Sequence, residues 1–223
     1  MDVYTTEDEQ VEALKKWWKE NWLSLLGGVL IGIGILTGGK YWLDSRHLHA
    51  EAASMEYEAM MQSLTQNKPQ EVEARANSLL STYADTPYAT FAAMAMAKTK
   101  ADANDLVGAK SNLRWVIEHA DQEEVKYEAL VRLARVYLAE KNYDDALAQL
   151  KQVKSDPFKI IVEELKGDIY VAKGDAASAR EAYSLALAEL DMSTENSSSR
   201  LKNFLQMKLD DLGGSPASQG EPG

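Results

Sequence analysis

The stretch GGVLIGIGILTGG, from Gly27 to Gly39, sets the first constraint on how this chain folds. No charged residue occurs from Asn21 through Gly39, a run of 19 residues. As a helix rising ~1.5 Å per residue it would cover about 28 Å, close to the hydrocarbon core of a bilayer at roughly 30 Å. Trp17, Trp18 and Trp22 precede the run, and Tyr41 and Trp42 follow it. That is the arrangement of two interfacial aromatic belts. Lys40 can snorkel from the end of the span. A secretory signal would open with a short basic segment and close on small residues. Here a polar segment with Glu7, Asp8, Glu9 and Glu12 comes first, and the run ends in KYWLDSRH. The expectation is a short N-terminal segment over residues 1–20 and a single membrane-spanning helix over residues 21–43. Lys15, Lys16 and Lys19 on one flank outnumber Lys40 and Arg46 on the other, which favours a cytoplasmic N-terminus. In a bacterium the larger C-terminal part would then lie in the periplasm.

Glycine costs a helix in water about 1 kcal/mol relative to alanine, so six glycines in one span need a reason. On a helical wheel they fall into two groups. Gly27, Gly34 and Gly38 share one direction; Gly28, Gly32 and Gly39 lie about 120° away. Gly34–Gly38 and Gly28–Gly32 are small-xxx-small pairs, which let a second helix backbone approach closely in lipid. The span is therefore expected to dock beside partner helices, or beside another copy of itself in a homo-oligomer.

Beyond the span the pattern is helical to about Leu212, and it repeats. LARVYLAEKNYDDALAQLKQV begins at Leu133 and KGDIYVAKGDAASAREAYSLA at Lys166. Ala134, Tyr137 and Ala146 in the first match Gly167, Tyr170 and Ala179 in the second. MAKTKADANDLVGAKSNLRWV, from Met96, is a weaker copy with Ala97, Ala109 and Lys100 in the tyrosine place. Asp105, Asn142 and Asp175 each stand four residues before the second-helix alanine, where an N-cap is expected. Gly174 and Asn104 stand where a left-handed helix end would suit. A partial upstream copy is aligned by matching Ala76, Leu80, Tyr83 and Pro87 to Ala146, Leu150, Val153 and Pro157, with Pro69 opening its second helix. A last helix, about Ser199 to Leu212, would cap the open apolar face, as solenoids require.

This pattern resembles the tetratricopeptide repeat family. The resemblance implies an all-α chain: one transmembrane helix followed by a right-handed solenoid of helix pairs over residues 44–212, with a concave face built mostly from first helices. By register the concave residues include Phe91, Met94, Lys98, Glu128, Val131, Arg135, Glu164 and Asp168. STENSSS (193–199) reads as a polar loop and GGSPASQGEPG (213–223) as a disordered tail.

Nothing in the sequence assembles a catalytic centre. His47, His49 and His119 are the only histidines, and His47 and His49 point about 200° apart on a helix. The adjacent acid pairs Glu123–Glu124, Asp144–Asp145 and Glu163–Glu164 diverge on a helix rather than facing a shared proton. GGVLIGIG lacks the Lys-Ser/Thr of a phosphate loop, and cysteine is absent. Neither a metal, a cofactor nor an enzyme activity is expected. With 24 basic and 35 acidic residues the net charge is −11, which disfavours nucleic acid as a partner.

The order of EDEQVEALKKWWKENW, the glycine-rich span and four helix pairs including YADTPYATFAAMAMAK is similar to the YfgM family of bacterial inner-membrane proteins. The resemblance covers nearly all of the chain except the tail. It implies an ancillary subunit of the SecYEG translocon, with a periplasmic repeat domain associated with the chaperone PpiD. The implied role is to help exported or unfolded periplasmic proteins. Read from the residues alone, an envelope scaffold that never touches clients stays open beside it.

Overall fold

The computed structural model describes residues 7–192 and 198–213. The regular elements among them are helical: α1 (Glu7–Thr65), α2 (Pro69–Thr82), α3 (Pro87–Asp102), α4 (Leu106–His119), α5 (Glu123–Ala139), α6 (Tyr143–Leu150), a 3-10 turn (Asp156–Phe158), α7 (Lys159–Lys173), α8 (Ala176–Met192) and α9 (Ser198–Asp211). The chain divides into two compact units, one ending at Ala52 and one beginning at Ala53. α1 contributes to both.

In the first unit α1 is one helix from Glu7 onward, with no break at residue 43. It is long and apolar enough to cross a membrane. Trp18, Leu23, Leu30, Ile31, Ile35, Leu36 and Trp42 are all exposed, which suits lipid and not water. The Arg46 guanidinium lies over the Trp42 ring, 4.9 Å from its centroid. Thr37 donates its hydroxyl to the Ile33 carbonyl at 2.8 Å, so its polar group is satisfied within the helix.

The second unit is a series of helical hairpins. The end of α1 pairs with α2, α3 with α4, α5 with α6 and α7 with α8. Each pair turns in the same way. Lys68, Asp105, Asn142 and Asp175 donate backbone N–H to the carbonyls of Ser63, Lys100, Tyr137 and Tyr170 at 2.8–3.0 Å. The residues just before them, Asn67, Asn104, Lys141 and Gly174, have φ of 55°, 61°, 60° and 83°. They donate to Leu64, Ala101, Leu138 and Val171 at 2.9–3.1 Å. Together these bonds form the Schellman motif that closes a helix on a left-handed residue. Only Gly174 adopts this φ without a Cβ penalty.

These turns fix the register of all four copies and correct the upstream alignment. Ala146 corresponds to Val72 and not to Ala76, a shift of one helical turn. The cause is length. Pro87 and Pro157 both stand where a second helix gives way to the next hairpin, but α2 has 14 residues where α6 has 8, so the prolines coincide only when the helices before them are out of register. Pro69 does open α2 and Pro87 opens α3, each in the first turn, where the missing N–H costs nothing.

Asp105 accepts the Gly108 N–H at 2.9 Å and Asp175 the Ser178 N–H at 3.1 Å. Asn142 instead donates its amide to Asp145 at 2.6 Å. Hydrogen bonds from the Ser178 side chain and backbone hold the Asp175 carboxyl below its ordinary value. A lowered carboxyl adds stability above its unfolded pKa of about 4, and that stability is lost as pH falls through the folded value. Asp175→Asn keeps a capping acceptor but removes this titration. Melting temperature followed from neutral pH to about pH 2.5 should therefore fall less steeply in the variant below pH ~4.

Three buried clusters run through the stack. One holds Met60, Val72, Ala76, Leu79 and Met96. The central one holds Leu113, Val116, Val131, Leu133, Leu150 and Ile169. The last holds Tyr183, Leu190, Leu205 and Leu209. Each large side chain buried this way contributes roughly 1.5–3 kcal/mol. At two repeating places bulk is traded between partners. Ala97, Ala134 and Gly167 on first helices correspond to Leu113, Leu150 and Tyr183 on second helices; in the first pair the order reverses to Met60 and Ala76. α9 covers the exposed side of α8 with Leu205 and Leu209. The helix begins at Ser198, one residue before the expected start at Ser199 and within the stretch expected as a polar loop. The rest of that loop and residues 214–223 of the expected tail lie outside the described residues.

Candidate protein-interaction surface

First helices of successive pairs lie side by side, and what fills the gap between neighbours differs at each step. Between the end of α1 and α3 the rings of Tyr57, Tyr88 and Phe91 pack with centroids 6.0–6.5 Å apart. Between α5 and α7, Leu138 and Ile161 pack on the central cluster beside buried Leu165. Between α7 and α9 the Lys208 ammonium pairs with Glu164 at 2.9 Å and Asp168 at 2.7 Å. There the Tyr183 hydroxyl also donates to Asp168 at 2.6 Å. Burial, then the hydrogen bond to Asp168, pushes that phenol far above its ordinary pKa, so it stays a neutral donor.

Between α3 and α5 the gap is open. It forms a groove of about 590 Å³. Buried Ala97, Leu113 and Val136 make the floor. Lys98, Asp102, Glu128, Arg132 and Arg135 line it as well. Sequence explains the opening. In the repeat register Ala101, Glu128 and Arg132 hold the places that Leu138, Ile161 and Leu165 hold one interface later. Two charges and a methyl stand where three branched apolar side chains would close the gap. Two of the ion pairs along the groove are made within single helices: Lys98 with Asp102 at 2.5 Å and Arg132 with Glu128 at 2.7 Å. Such exposed pairs are worth little. Arg135 is exposed and has no ion-pair partner among the described residues.

The model of a family described as a tetratricopeptide repeat-like domain matches residues 15–214, spanning both the apolar helix and the hairpins. A relative from Escherichia coli strain K12, named ancillary SecYEG translocon subunit, is 30% identical over 212 residues, covering 95% of this chain and 99% of the relative. The chain belongs to the YfgM family. Relatives of the same printed name from Haemophilus influenzae and Neisseria gonorrhoeae are 30% and 28% identical, cover 94% and 95% of this chain, and are themselves covered completely. No solved structure matches.

In this YfgM-family chain the eight expected concave residues separate. Lys98, Glu128 and Arg135 meet in the open groove. Phe91 belongs to the aromatic cluster and borders a smaller pocket of about 200 Å³ beside His119 and Asp121. Met94 packs against the central core. Val131 is a correction: it is completely buried. α5 is touched by α4, α6 and α7, so its buried stripe is wider than a two-neighbour helix would need. Glu164 and Asp168 are engaged by Lys208 of the capping helix. Ala101, Asp102 and Arg132 were missed. Ala101 could have been found by comparing it with Leu138, its counterpart one copy later.

The six span glycines, Gly27, Gly28, Gly32, Gly34, Gly38 and Gly39, face open space: a Cβ added at any of them would meet nothing within 4 Å. Among the described residues no contact requires them to be small. Among the described residues no group of three or more His, Asp or Glu is placed to hold a metal ion.

Proposed function

We propose that this chain is a membrane-anchored adaptor of the SecYEG translocon, assisting newly exported proteins as they emerge. The observation that carries this reading is near full-length similarity to proteins named ancillary SecYEG translocon subunits. In this reading α1 spans the inner membrane once, with residues 1–20 cytoplasmic and the hairpins, taken from residue 44 to 212, in the periplasm. Anchoring raises the local concentration of a weak binder beside its partner. The repeat unit meets PpiD and exported or unfolded chains through its first-helix face. It works by binding, without a cofactor and without catalysing a reaction.

In this reading the glycine faces dock on translocon or PpiD helices, or on a second copy. Gly28→Leu/Gly32→Leu and Gly34→Leu/Gly38→Leu add side chains where a Cβ meets nothing among the described residues. They are expected to leave membrane insertion intact and to lower recovery of SecYEG in mild-detergent co-purification on the order of tenfold for at least one face. Full recovery of every partner by both variants would overturn the packing role.

A further inference from the structure

Resting on the adaptor reading, the chemistry of what the groove accepts can be narrowed. We propose that the α3–α5 groove takes an extended peptide segment carrying an Asp or Glu side chain between apolar residues, with Arg135 as the partner of that carboxylate.

Charge, shape and direction support this occupant. Lys98 and Arg132 are already neutralised by Asp102 and Glu128 on their own helices. Arg135 has no such carboxylate among the described residues, so it leaves one uncompensated cation in a groove of a chain whose net charge is −11. That net charge acts weakly at the site, because charges farther than about 8 Å are screened at physiological ionic strength. A guanidinium offers a planar fork of donors that matches a carboxylate with two parallel bonds. Beside it, buried Ala97, Leu113 and Val136 give an apolar floor on which apolar side chains flanking the carboxylate can rest.

Helical walls have already spent their backbone N–H groups on their own helices, so side chains must do the recognising. From Ala97 to Asp102 the α3 wall is about 8 Å long, which an extended chain crosses in roughly two to three residues. Along α5 the lining runs from Glu128 to Ala139, on both sides of Arg135. A chain centred on Arg135 therefore continues past it in both directions. This favours an internal acidic side chain over a terminal carboxylate.

The test uses the full-length protein in detergent micelles and fluorescent peptides built on Ala-Val-Glu-Val-Ala, acetylated and amidated. Matching peptides carry Gln or Lys in place of Glu, and one Gln peptide has a free C-terminal carboxylate. By fluorescence anisotropy the Glu peptide should bind about tenfold more tightly than the Gln peptide at low salt, and the difference should shrink as salt rises. Arg135→Gln should erase the difference, and Arg135→Glu should turn the preference towards Lys. Arg135 is exposed, so both variants should melt like the parent; a thermal melt confirms it. Equal binding of Glu and Gln peptides, absence of binding, a preference for Glu that survives Arg135→Gln, or binding confined to the free-carboxylate peptide would each overturn the proposal. Co-purification of SecYEG with Arg135→Gln should be unchanged. Failure of the translocon reading is thus distinguishable from failure of this one.

Discussion

Gly167→Ala is expected to lower the melting temperature of the repeat unit by about 5–10 °C, as overpacking of roughly 2–3 kcal/mol would in a domain of this size. A Cβ at Gly167 would run into the Tyr183 ring, where even Cζ lies 2.7 Å away. The ring has little room to give. Tyr183 is buried, its hydroxyl is held by Asp168 at 2.6 Å, and Lys208 lies over its face at 5.4 Å from the centroid. On an exposed helix the same substitution would gain about 1 kcal/mol, so the sign itself is diagnostic. Elsewhere in the stack Leu113 and Leu150 stand opposite alanines, Ala97 and Ala134. In a Tyr183→Leu background, then, adding Gly167→Ala should cost nothing or stabilise. Thermal melts of the parent, both single variants and the double variant measure the coupling. An equal cost of Gly167→Ala in both backgrounds would remove the size-exchange explanation.

Closing the groove should abolish binding while sparing the fold. The triple variant Ala101→Leu/Glu128→Ile/Arg132→Leu copies the interface between α5 and α7 into the one between α3 and α5. It conserves net charge, because one acid and one base leave together. The three side chains should pack on Ala97, Leu113 and Val136 and hold or raise the melting temperature, since added apolar burial contributes about 25 cal/mol per Å². Binding of extended peptides should fall by about tenfold or more as their site disappears. A variant that melts normally and binds as well as the parent would show that the groove is not the contact surface.

Much of this architecture is legible in the residues. The charge-free run with its flanking tryptophans specifies the apolar helix, because lipid length and interfacial chemistry are read directly from sequence. The hairpins are legible where local chemistry marks their turns: Asp105 and Asp175 cap, and Gly174 turns left. The first hairpin is not, because Met60, Ser63 and Val72 replace the small residue, tyrosine and alanine of the pattern. Only the shared hydrogen bonds reveal its register. Lys141 at φ 60° carries no sequence signal either; the packing on both sides of the turn imposes it. The groove was half legible. Its charged residues follow from helical register, but whether a gap stays open depends on pairs such as Ala101 and Leu138, which matter only once two helices are placed together. Burial of Val131 and occupation of Glu164 and Asp168 by Lys208 are likewise tertiary facts, joining residues 40 or more positions apart in the case of Lys208.

The central claim is that the chain meets its partners through one membrane helix and one open groove. Photo-crosslinking in native membranes tests it most directly, with the reactive residue placed at Gly32 in the span, at Lys98 in the groove, or at Leu185, an exposed residue on α8. In cells holding an exported chain arrested during translocation, the account predicts SecYEG or PpiD captured from Gly32, the exported chain captured from Lys98, and neither from Leu185. Capture from Leu185 equal to that from Lys98, or no translocon component and no exported chain captured from either Gly32 or Lys98, would contradict it.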